Sequence, residues 1–134
     1  MAFFYHSQDE RTVVGVVKIV KEYFPDPKRM VRELEEDGFK TVAIIDPGIK
    51  IDLNYTIFKE ALENDYFCRR ADGPFMRGKV WPGECYFPDF TNPEVRDWWS
   101  GLYRELIGDI GVKGVWNDMN EPAVMEVPNK TFPD

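Results

Sequence analysis

An α/β fold is predicted from three features of the sequence. Two short runs have the composition of buried strands, Phe39 to Ile45 (F-K-T-V-A-I-I) and Val112 to Trp116 (V-K-G-V-W). Each follows a segment of helical periodicity punctuated by glycine. Each also ends abruptly in polar residues, Asp46 in the first case and Asn117, Asp118, Asn120 and Glu121 in the second. Helix, turn, buried strand and polar strand end recur as a unit, and in α/β enzymes chemistry sits at the carboxyl ends of strands.

The elements follow in order. Val13, Val14, Val16, Val17, Ile19 and Val20 are β-branched and predict an early strand. Phe24-Pro25-Asp26-Pro27 opens the first helix, with Asp26 as N-cap and Pro27 at the first helical position. Met30, Val31 and Leu34 recur at helical spacing, the charges of Arg32 to Asp37 face solvent, and Gly38 closes the segment. The strand from Phe39 to Ile45 stops at Asp46-Pro47-Gly48, where Asp46 serves equally well as turn former or ligand.

Residues 47–92 form a long excursion, with one short helix expected from Tyr55 to Leu62. The remainder is Gly, Pro and aromatic, including Trp81-Pro82-Gly83 and Phe87-Pro88-Asp89-Phe90. Loops this long are usually functional or disordered, and this one carries too many aromatics for disorder. It is expected to rise from a strand end and lie over a pocket. A second helix is predicted from Pro93 to Ile107, capped by Asn92, with Val95, Trp98 or Trp99, Leu102 and Leu106 on one face.

Composition narrows the function. At 134 residues with 43% hydrophobic content, the chain has material for one ordinary domain. A net charge of −7 argues against nucleic acid, whose phosphates call for a basic face. No apolar run approaches the roughly 20 residues needed to span a bilayer, and none of the marks of a secretory signal is visible, so a cytoplasmic location is favoured. Cys68 and Cys85 have no metal-ligand spacing with His6 and read as buried free thiols, a disulfide being the alternative. The D-x-N-E run lacks the glycine and the oxygen count of a calcium loop. No cofactor or metal is expected.

The segment W-N-D-M-N-E-P, Trp116 to Pro122, places two carboxylates beside a tryptophan on the lip of a strand. Taken alone, Asp118 and Glu121 also fit a capping or solvated turn. The order of motifs decides between these readings. Phe24-Pro25-Asp26-Pro27, Ile44-Ile45-Asp46-Pro47-Gly48-Ile49-Lys50, Trp81-Pro82-Gly83, Phe87-Pro88-Asp89-Phe90, Trp98-Trp99 and Trp116 to Pro122 together resemble the catalytic barrel of glycoside hydrolase family 31, the α-glucosidase and α-xylosidase family. The likeness covers residues 21–125.

The resemblance implies a (β/α)8 TIM barrel and retaining hydrolysis of α-glycosides, with an α-glucoside oligosaccharide as substrate. Asp118 matches the family's nucleophile, and Glu121 the acid beside it. Ile44, Asp46, Trp81, Trp116 and Met119 match positions around the sugar. The chemistry is coherent: a retaining enzyme needs one carboxylate to attack the anomeric carbon and a second carboxyl about 5–5.5 Å away to protonate the leaving oxygen. Glu121, on the same turn as Asp118, suits a supporting role better than that of the acid.

Two departures stand out. The family's general acid lies on a later strand, beyond Asp134, and residues 11–23 match neither the D-I-x-Y-M-D-like nor the F-T-W-like segment that precedes F-P-D-P in the family. Residues 1–20 are therefore left unassigned. A whole barrel takes at least about 200 residues, so the expectation is a partial barrel of two or three strands with a long βα loop. Such a piece is expected to self-associate and to lack normal turnover by itself. A non-catalytic sugar-binding or structural barrel piece is the alternative.

Overall fold

A computed structural model describes residues 25–120 and 123–125. The β-branched run at 13–20, His6 and Glu121 lie outside the described residues. In chain order the elements are α1 (Pro27–Glu36), β1 (Val42–Ile45), β2 (Ile49–Lys50), α2 (Thr56–Glu63), β3 (Arg77–Val80), β4 (Gly83–Tyr86), α3 (Pro93–Leu102), a π-helical turn (Glu105–Ile110) and β5 (Gly114–Asn117).

Local chemistry accounts for the helix ends. Asp26 caps α1 by accepting from the Arg29 N–H at 2.9 Å, and Asn92 caps α3 by accepting from the Glu94 N–H at 2.9 Å. After α1, Gly38 takes φ 87°. The Gly38 and Phe39 N–H groups then donate to the Glu35 and Leu34 carbonyls, the paired bonds of a Schellman stop. The helix predicted as Pro93 to Ile107 ends earlier, at Leu102. A wide π turn then brings Leu106 and Ile110 into the core before Gly111 at φ 90° closes it.

β1 and β5 pair in parallel, Val42 opposite Gly114 through Ile45 opposite Asn117. Both strands are shorter than their apolar runs, and β5 extends into the polar lip by one residue, Asn117. Ala43, Ile45 and Val112 are buried with Val31 of α1, Trp99 of α3, and Leu106 and Ile110 of the π turn. Period-2 alternation puts Ala43, Ile45, Val115 and Asn117 on the helix side of the sheet and Ile44 and Trp116 on the other.

The excursion is more ordered than a loop. β2, β4 and β3 make a three-stranded antiparallel sheet, with Trp81-Pro82 as the two-residue turn between β3 and β4. Strand signals are weak there because Arg77-Gly78-Lys79-Val80 and Gly83-Glu84-Cys85-Tyr86 mix glycine and charge with few β-formers. Phe58, Phe67, Phe75 and Tyr86 stack at centroid distances of 5.2–5.8 Å and join this sheet to α2. Its other side carries a second small cluster, Val80, Cys85 and Phe87.

Candidate active site

Asp118 follows directly on β5. Its N–H continues the ladder by donating to the Ile45 carbonyl at 3.0 Å, so the carboxylate sits at the C-terminal end of a strand held in register with its neighbour. Alternation continued one residue past each strand groups Asp118 with Trp116, and Asp46 with Ile44, on one face of the parallel pair. Four of the seven sequence-predicted site residues therefore share that face. Asp46 is only 2% exposed. Its charge is felt at the Cys85 thiol.

The chain then turns sharply. Met119 adopts φ 57°, a left-handed conformation unusual for a residue other than glycine, and its N–H donates to its neighbour's Asp118 Oδ1 at 3.1 Å. The Asn120 side-chain amide donates to the Asp118 carbonyl at 3.2 Å. The left-handed step sends the Met119 side chain to the Val80, Cys85 and Phe87 cluster, so Met119 joins the strand end to the antiparallel sheet. Backbone strain of this kind collects at functional positions. Trp81 stands at the tip of that sheet's hairpin, 42% exposed, at the end of β3 next to Val80. Glu121 is not described.

Cys68 and Cys85 are both free thiols, Cys85 buried and Cys68 only partly so. Burial pushes them up to about 11 and about 12, with nearby Asp89 and Glu84 reinforcing the effect, so neither is a thiolate near neutral pH. Among the described residues no cluster of three or more His, Cys, Asp or Glu is arranged to hold a metal ion. No described helix is long and apolar enough to cross a membrane.

One feature of the site escaped sequence reasoning. The Trp99 indole N–H donates to the Tyr103 hydroxyl at 3.0 Å, and that hydroxyl donates to Asn117 Oδ1 at 2.9 Å. The i,i+4 spacing of Trp99 and Tyr103 is a visible signal, but the partner lies across a strand. This relay borders a cavity of about 550 Å³ between α3 and β5, lined in part by Phe90, Trp99, Tyr103, Ile107 and Val115. None of Ile44, Asp46, Trp81, Trp116, Asp118 or Met119 lines it. The cavity belongs to the helix layer, behind the strand that carries Asp118.

Known proteins share this sequence and geometry. The family model described as "Glycosyl hydrolases family 31 TIM-barrel domain" matches residues 3–134. The chain is 46% identical over 101 residues to alpha-glucosidase 2 of Bacillus thermoamyloliquefaciens, covering 75% of this chain and 13% of that protein. A crystal structure of a glucosidase II alpha subunit superposes with a TM-score of 0.71 at 39% identity, over 81% of this chain and 12% of that one. The family 31 alpha-glucosidase from Bacteroides thetaiotaomicron gives a TM-score of 0.67 at 48% identity, over 75% and 17%. The chain thus spans a small part of the length of the relatives it matches, 13% of the first protein and 12% and 17% of the two structures. It belongs to glycosyl hydrolase family 31, and its parallel strands and helices are a portion of that family's TIM-barrel domain.

Proposed function

We propose that this chain carries the nucleophile side of a retaining α-glucosidase site. Asp118 attacks the anomeric carbon of a terminal α-glucoside, the C1–O bond to the leaving group breaks, and a glycosyl ester forms on the Asp118 carboxylate. The departing oxygen takes a proton from a carboxyl that is assigned to no residue of this chain. Water then cleaves the ester, and two inversions leave the anomeric configuration retained. Trp116 and Trp81 offer flat apolar faces to the sugar ring, Asp46 accepts from its hydroxyls, and Ile44 and Met119 complete the wall. Glu121, three residues beyond Asp118, supports the nucleophile.

The observation that carries this reading is the shared face: Ile44, Asp46, Trp116 and Asp118 project from the C-terminal ends of two adjacent parallel strands. In TIM-barrel enzymes that end of the barrel is where catalytic residues stand. The names of the relatives supply the substrate class.

α-Glucosyl fluoride tests the nucleophile directly, because fluoride departs without needing an acid. Incubation followed by intact-mass measurement is expected to show one hexosyl adduct that maps to Asp118 and is missing from Asp118→Ala. A folded sample that stays unlabelled would sink the proposal. If it still bound glucose saturably, a sugar-binding role would take its place.

A further inference from the structure

The nucleophile proposed above stands on a strand end that Met119 ties to the antiparallel sheet on one side and that Asn117 ties to the helix layer on the other. Among the described residues β5 is paired on one edge only, by β1, and its last ladder bond is the Asp118 N–H to the Ile45 carbonyl. Beyond that bond the chain enters the left-handed turn at Met119. Rotation of the strand end about its own axis would swing the Asp118 carboxylate off its aim. On the helix side, Asn117 is placed to resist this. It is the last residue of β5, and its side chain lies on the face opposite Asp118.

We infer that Trp99, Tyr103 and Asn117 form a hydrogen-bonded brace that positions the Asp118 carboxylate. The brace has a defined polarity. An indole N–H can only donate, so the Tyr103 oxygen accepts at 3.0 Å and its own O–H donates to Asn117 Oδ1 at 2.9 Å. A hydroxyl that accepts and donates at once is polarised, and each bond strengthens the other. Water competes little for the first bond, since Trp99 is 9% exposed and Phe90 and Tyr103 contact its ring edge-on at 5.4 and 6.2 Å, whereas the bond to Asn117 is exposed. Burial raises the Tyr103 hydroxyl above its ordinary range, which keeps it a donor at neutral pH. Holding Asn117 against α3 holds the next residue, by alternation, toward the opposite face. These are positioning residues, and the inference rests on the assignment of Asp118 as nucleophile only for its catalytic consequence.

Two readouts on the same variants separate the brace from that assignment. The first is amide hydrogen exchange by NMR in the unmodified chain, in Tyr103→Phe and in Asn117→Ala. Exchange at the Asp118 amide is expected to rise about tenfold in each variant, while the Ile45 and Trp116 amides, which face the partner strand in the same ladder, keep their rates. Uniform acceleration at all three, or no change at Asp118, would overturn the brace, since simple destabilisation loosens the whole sheet. Asn117 is exposed, so Asn117→Ala reads the same link should Tyr103→Phe fail to fold.

The second readout is the rate of ester formation from α-glucosyl fluoride in the same three proteins and in the double variant. Each single change is expected to slow the saturated rate about tenfold with half-saturation unchanged, and the double variant to be no slower than either single one. Multiplying effects, or a change in half-saturation alone, would show that the residues act separately and overturn the positioning role. If the unmodified chain forms no ester, the nucleophile assignment fails, and the exchange experiment still decides whether the brace holds the strand end.

Discussion

At the scale of single residues, Cys85 shows how burial sets chemistry. The thiol is completely enclosed, and loss of solvation moves it from its ordinary 9.0 up to about 12, with Glu84 and Asp46 adding to the effect and Lys50 opposing it. The unfolded chain releases this proton near pH 9 and the folded chain holds it to about 12. Between these values the folded state binds more protons, so the contribution is intact below pH 9 and is lost as pH rises toward 12. Melting temperature is therefore expected to fall more steeply above pH 9 in the unmodified chain than in Cys85→Ala, with parallel profiles between pH 6 and 8. Identical slopes above pH 9 in the two proteins would refute this account. Asp118 was conspicuous from its motif, whereas the left-handed Met119 beside it was not. A methionine carries no sequence mark of positive φ, and only the turn's geometry demands it.

At the scale of elements, the helices were legible and the small antiparallel sheet was not. Asp26-Pro27 and Asn92-Pro93 announce helix starts because their side chains satisfy N–H groups that no intrahelical partner can reach. The parallel strands announce themselves through Val, Ile and Ala runs. β3 and β4 pair across a two-residue turn, but their hairpin is fixed in place by contacts distant in sequence, the β2–β4 pairing among them. Gly48 and Gly78 allow those contacts: a Cβ built on Gly48 falls 2.6 Å from Val80 Cγ2, and one on Gly78 falls 2.8 Å from Val124 Cγ1. Without side chains there, the sheet closes on the end of β1 and on the segment after β5, where the Met125 N–H donates to the Lys79 carbonyl at 2.8 Å. Gly48→Ala is expected to destabilise the chain by about 1–3 kcal/mol through overpacking. It should also shift the NMR resonances of Trp81 and Met119 while sparing those of α1. Chemical denaturation gives the first quantity, and a variant as stable as its parent would show that the contact relaxes freely.

At the scale of the whole chain, the surface is unusual for a self-sufficient domain. Phe39, Leu53, Trp81, Ile107 and Trp116 are each 42–66% exposed, and β1 and β5 each have one edge unpaired among the described residues. Exposed aromatics beside open edges favour association between chains, because they offer apolar area and unused backbone donors and acceptors together. The charge of −7 opposes this by mutual repulsion, which salt screens over about 8 Å at physiological strength. We therefore propose that the purified chain self-associates, more strongly as salt is raised. Light scattering is expected to give a mass above that of the monomer, increasing with chain concentration and with added salt. Association driven by surface charge would weaken with salt instead, so the sign of the response identifies the force. A constant monomer mass across both series would mean that residues outside the described set cover these faces, and the exposed tryptophans would then have to be read as sugar-facing alone.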